Sequence, residues 1–157
     1  MTFEIREATE ADADQGCEVM KRSIRELCIA DHQHKAGILD RWLANKHPDV
    51  FRGWLRQPGN SLMVAVEHGA VLAVGAVTDG GEITLNYVSP DARFRGISRA
   101  LLASLERRAV EQGNAISRLT STATARRFYL ANGYEEAGPP RHNFGTTSGF
   151  PMRKMLK

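Results

Sequence analysis

Val88-Ser89-Pro90-Asp91-Ala92-Arg93-Phe94-Arg95-Gly96-Ile97-Ser98-Arg99-Ala100-Leu101-Leu102 joins the end of a β-strand to the start of a helix. Pro90 closes the strand. Ser98 to Gln112 then reads as an amphipathic helix with Leu101, Leu102, Leu105 and Ala109 on one face and Gly113 as its stop. Such a junction gathers unpaired backbone N–H groups and the positive end of the helix dipole at one point, and Gly96 lets the backbone approach a ligand closely. That suits an anion. Pyrophosphate is the natural candidate, with Arg93, Arg95 and Arg99 as charge-assisted partners. The turn is not a P-loop, since Gly-Lys-Ser/Thr is missing, and not a dinucleotide fingerprint, since it holds only one glycine.

Upstream of this junction the hydrophobic period is 2. Leu62 to Glu67, Val71 to Thr78 and Glu82 to Val88 read as strands separated by His68-Gly69 and Gly80-Gly81, the dipeptides of tight antiparallel turns. This predicts a meander. Before it the period is near 3.6. Phe3 to Ala8 alternates as a half-buried strand, and Thr9 followed by acidic residues marks a helix start. Val19, Ile24, Leu27, Cys28 and Ile29 supply that helix's apolar positions, and a loop is expected around Asp31, His32 and His34. A second helical stretch through Ile38, Leu39, Trp42 and Leu43 is interrupted at Pro48, resumes with Phe51, Trp54 and Leu55, and ends at Pro58-Gly59. Downstream come a short strand near Ala115 to Leu119 and a helix from about Thr122 to Ala131, stopped by Asn132-Gly133. Tyr134 to Ala137, a loop over Gly138 to Gly149 and a strand near Phe150 to Leu156 complete the chain.

The chain's 157 residues suit one domain, residues 1–157, and 42% hydrophobic with 25% charged residues excludes collagen-like, low-complexity and disordered classes. Net charge is only +3, yet residues 93–127 hold eight arginines against Glu106 and Glu111, a local +6 beside a remainder of −3. No apolar run is long enough to span a bilayer and the N-terminal segment is acidic, so a cytoplasmic address without membrane association is expected. Cys17 and Cys28, about 16 Å apart along a continuous helix, read as buried thiols rather than a disulfide.

The run Val88-x-Pro90-x-x-Arg93-x-x-Gly96-x-Ser98-x-x-Leu101-Leu102 resembles the cofactor-binding motif of the GNAT superfamily of N-acetyltransferases, Arg/Gln-x-x-Gly-x-Gly/Ala at a helix start. Ala125-Arg126-Arg127-Phe128-Tyr129, leading to Gly133-Tyr134, resembles the family's second motif, Ala-x-x-aromatic-Tyr followed by Gly-Phe. Together the motifs span about residues 80–136 in the family's order and spacing. Ser98 stands where the family usually keeps Gly or Ala, Thr122 where many members carry Asn, and Tyr134 replaces Phe. The resemblance implies an α/β fold of the GNAT type, a mixed central sheet of about six to seven strands flanked by about four helices.

It also implies an acyltransferase that moves an acetyl group from acetyl-CoA to a primary amine of a small molecule or peptide, by direct attack in a ternary complex. The pyrophosphate would lie on the backbone of Phe94, Arg95, Gly96, Ile97, Ser98 and Arg99, beside Arg93, with the pantetheine arm pairing like an extra strand with Tyr87 and Val88. Tyr129 would protonate the departing thiolate. Glu82, six residues before Val88, stands where some histone-type members place a glutamate base; an ordered water, with Glu82 only a solvated carboxylate, is the other reading. Family members often dimerise, which makes a homodimer a further expectation.

Asp31 and His32 fall in the segment that faces the acceptor in this family and are substrate-side candidates. Asp31, His32 and His34 alone do not complete a metal site, so no metal is expected. Two non-enzymatic readings stand beside the transferase: a module that binds phosphate or nucleic acid through the basic stretch, and a CoA-binding domain without turnover. The scarcity of aromatics among those arginines counts against single-strand binding.

Overall fold

The structure, a computed structural model, describes residues 2–143 and 146–156. In chain order the elements are β1 (Glu4–Glu7), α1 (Ala13–Leu27), α2 (Ile29–His32), α3 (Ala36–Leu43), α4 (Pro48–Arg56), β2 (Asn60–Glu67), β3 (Ala70–Thr78), β4 (Glu82–Val88), α5 (Ile97–Glu111), β5 (Ile116–Ser121), α6 (Arg126–Ala131), β6 (Glu135–Glu136), β7 (Arg141–Asn143) and β8 (Thr146–Met155). The strands form one mixed sheet in the order β1-β2-β3-β4-β5-β8-β6, with β7 paired on β8. Among the described residues, only β4 and β5 run parallel.

The count exceeds the expected six to seven strands and four helices for local reasons. Pro48 at the first helical position starts α4 afresh, with the His47 ring accepting from the Asp49 N–H, so the second helical stretch divides into α3 and α4. The expected loop at Asp31 instead contains the four-residue helix α2. Within Gly138 to Gly149, Arg141–Asn143 pairs with the first residues of β8, a hairpin hidden in the sequence by flanking glycines and prolines.

α5 packs on one face of the sheet with Ile97, Leu101, Leu102, Leu105 and Ala109 fully buried, while α1 and α4 cover the other with Met20 and Phe51 against Val64, Val71 and Val74. The α5 face was legible as an i, i+4 stripe. Its close approach depends on Gly75 of β3, where a Cβ would stand 2.8 Å from Leu105 Cδ1 and 3.2 Å from Leu101 Cγ.

Two features of β4 shape the site. Ile83 lies opposite Val77 and Leu85 opposite Ala76, which leaves Thr84 as an extra, bulged residue. And β4 pairs with β5 for only two residues, Glu82 with Arg118 and Ile83 with Leu119, after which the strands part.

Candidate active site

The parting of β4 and β5 opens a cavity of about 620 Å³. Residues 83–88 of β4 form one wall and residues 119–121 of β5, continued by Thr122, the other. Ser23 and Leu27 of α1 with Cys28 just beyond it, the turn from Ala92 to Arg99, and the segment of Thr124 and Ala125 leading to Phe128 and Tyr129 of α6 also line it. Ser89 N–H donates to Leu72 O at 2.7 Å, toward β3, so by strand alternation the N–H of Val88 points the other way, into the gap. Below the described bulge, then, the β4 edge offers an extended partner unpaired backbone groups.

That edge leads directly to the N-terminus of α5. Gly96 holds the N-cap position with φ +78°, a left-handed conformation that suits glycine, and no side chain caps the helix. The first N–H groups of α5 are therefore left for a ligand. Arg93 and Arg99 border the cavity and are exposed. Phe94 also has a left-handed backbone, φ +63°, and its ring, 91% exposed, lies 4.5 Å under the Arg93 guanidinium. Arg95 departs from expectation: its guanidinium donates to both Glu67 carboxylate oxygens, at 3.1 and 2.7 Å, and only its backbone remains in the turn. Arg22 was missed in the sequence. It bridges Glu26 of its own helix and Asp91 of the Pro90–Ala92 turn at 2.8 and 2.7 Å, tying α1 to the anion site.

Tyr129 stands in the cavity wall, 6% exposed, packed edge-on against Phe128 and Tyr134 at 5.3 and 5.5 Å. Burial pushes its phenol up to about 12, so the proton is held well above neutral pH. Nδ2 of Asn86 donates to its hydroxyl at 3.0 Å. A lone amide within the apolar run Leu85-Asn86-Tyr87-Val88 was the sequence signal for that partner. Tyr87 also lines the cavity, and its hydroxyl accepts from Trp42 Nε1 of α3 at 3.1 Å.

Glu82 lies elsewhere. On a regular strand the six-residue offset would put it on the Val88 face, but the Thr84 bulge turns Ile83 toward α5 instead. Glu82 is exposed at the closed end of the cleft and lines a separate cavity of about 680 Å³ with Arg118, Arg141 and the chain from Ala137 to Pro140. Asp31 and His32 are also displaced from the cavity. The Asp31 carboxylate accepts from the N–H groups of Ala123 and Thr124 at 2.7 and 3.2 Å and from the Thr124 hydroxyl at 2.5 Å, clamping α2 to the segment before α6. His32 is fully buried; its Nδ1 accepts from His34 N–H at 2.9 Å, which makes Nε2, 3.1 Å from Arg25 O, the donor.

Among the described residues lining the first cavity there is no Asp, Glu or His. Among the described residues, no three of His, Cys, Asp and Glu gather as a metal group would, and no helix is long and apolar enough to cross a membrane. Cys17 and Cys28 are free and buried, and burial pushes the Cys28 thiol up to about 12. The basic stretch is partly neutralised in three dimensions, Arg95 by Glu67, Arg108 by Glu7 and Arg126 by Glu136.

Residues 21–156 match the family model described as an acetyltransferase (GNAT) domain. No curated protein sequence matches the chain. Among solved structures, a GCN5-related N-acetyltransferase from Rhodopseudomonas palustris superposes with a TM-score of 0.87 at 22% identity, over 99% of this chain and 97% of that one. The PaiA N-acetyltransferase of Thermoplasma acidophilum, solved in complex with coenzyme A, gives 0.81 at 18% identity over 99% and 100%. A ribosomal-protein-alanine N-acetyltransferase from Brucella melitensis gives 0.71 at 25% identity over 98% and 99%.

Proposed function

The chain belongs to the GNAT acetyltransferase family, and from that premise we propose that, as a single domain, it transfers an acetyl group from acetyl-CoA to a primary amine by direct attack in a ternary complex. One observation carries the reading: the unpaired β4 edge runs into an uncapped α5 N-terminus, and Tyr129 faces the same cavity. The residues fit the donor. The α5 amides and the Arg93 and Arg99 side chains would hold pyrophosphate, the Tyr87 and Val88 backbone would pair with the pantetheine arm, and the Val88 N–H would polarise the thioester carbonyl. Tyr129 would supply the proton that the leaving sulfur takes.

Proton removal from the amine follows a different route from the glutamate considered on sequence grounds. With Glu82 outside the cavity and no carboxylate or imidazole side chain among its described lining residues, the proton passes to water and the acceptor reacts as the neutral amine. Rates should then rise with pH through the acceptor's own amine pKa. The experiment is thiol release from acetyl-CoA over a panel of amines, with Tyr129→Phe and Glu82→Gln alongside. Turnover lost in the first variant and retained in the second supports the assignment; full activity in Tyr129→Phe removes the general acid.

A further inference from the structure

Asn86 of β4 and Tyr129 of α6 both line the cavity and meet at 3.0 Å. The amide donates; the phenol oxygen accepts. A hydroxyl that accepts keeps its own proton for another partner, and no other described group bonds this one. With the amide turned about, Oδ1 would take the phenol proton and withdraw it from the cavity. The orientation of one side-chain amide thus decides whether Tyr129 can donate into the cleft.

The geometry points to Asn86 as the positioning residue of Tyr129: its Nδ2–H fixes the phenol with the O–H free to donate into the cavity, and holds the oxygen as that proton leaves. The assignment rests on the acetyltransferase reading. As the acceptor nitrogen bonds to the carbonyl carbon and the C–S bond of the donor breaks, the electron pair stays on sulfur, the phenol proton moves to sulfur, and the charge left on the Tyr129 oxygen meets the Asn86 N–H. Tyr129 is restored by a proton from water, which receives the one released by the acceptor nitrogen. Burial of Tyr129 opposes that charge and the Asn86 hydrogen bond favours it, so the two act against each other at one oxygen.

The test needs no acceptor. Coenzyme A is bound to the protein and its thiol is titrated by thiolate absorbance, because a phenol that donates to sulfur stabilises the thiolate. The bound thiol should ionise about one pH unit lower in the wild type than in Tyr129→Phe, a tenfold difference in ionisation. Asn86→Asp, of the same shape but offering only acceptors when ionised, and Asn86→Ser, too short to reach, should both abolish most of that difference. Calorimetric affinity for coenzyme A below the thiol titration should change less than about twofold. In the Tyr129→Phe background Asn86→Ser, which adds no charge, should not move the midpoint, whereas the Asn86→Asp carboxylate raises it by its own field. A wild-type midpoint retained in both Asn86 variants, or an equal displacement by Asn86→Ser with Tyr129 already replaced, overturns the assignment alone. Coincident midpoints in the wild type and Tyr129→Phe overturn the acid role of Tyr129 and this assignment with it.

Discussion

Replacing Gly75 by Ala tests whether the contact between α5 and β3 sets the anion site. The new Cβ would stand 2.8 Å from Leu105 Cδ1, 3.1 Å from Leu101 Cδ2 and 3.2 Å from Leu101 Cγ. Both leucines are fully buried, so neither can swing into solvent, and α5 must move by several tenths of an ångström. Overpacking of this kind costs about 1 to 3 kcal/mol. For a chain of this size each kcal/mol lowers Tm by roughly 2 to 4 °C, giving a fall of about 2 to 12 °C. Urea denaturation should show a lower midpoint at unchanged slope. Since the moved helix carries Gly96 and the first-turn amides, acetyl-CoA affinity should weaken as well. Leu105→Ala makes room for the methyl group, so the double variant should be more stable than the two single losses added together predict. Equal or greater stability in Gly75→Ala, or strict additivity in the double variant, would refute the packing argument.

Two further outcomes are expected. Phe94→Gly removes a bulky side chain from a left-handed position and should stabilise the protein by about 0.5 to 1 kcal/mol, with Phe94→Ala as the control that keeps the strain; a glycine variant less stable than the alanine one contradicts this. Lys46, 2% exposed, is lowered by burial from 10.5 to about 8. Between those values the unfolded chain binds more protons than the folded one, so this group's penalty is full below pH 8 and fades as pH rises toward 10.5. Lys46→Met should therefore gain stability over the wild type at pH 7 and lose that advantage by pH 10; parallel stability curves would contradict it.

The sequence was most legible where one local pattern decides the structure. The α5 stripe, the meander turns and the strand-to-helix junction each depend on spacings of a few residues. It was least legible where the outcome depends on partners far along the chain. Arg95 reads as a phosphate ligand until Glu67, 28 residues away, is seen to hold it. Asp31 reads as a substrate group until Ala123 and Thr124, more than 90 residues on, are seen to occupy it. Glu82 was singled out by its six-residue offset from Val88, and which face that offset reaches depends on the single extra residue at Thr84. The +6 segment was an accurate count and a poor map, because three of its arginines pair with acids from outside it.

The central claim is that the cleft between β4 and β5, with the α5 N-terminus, binds acetyl-CoA. Isothermal titration calorimetry of acetyl-CoA into the wild type and into Arg93→Ala/Arg99→Ala measures this directly. The account predicts micromolar binding to the wild type, weakened about tenfold or more in the double variant as two charge-assisted partners are lost. No binding to the wild type, or equal affinity in the two proteins, would contradict it.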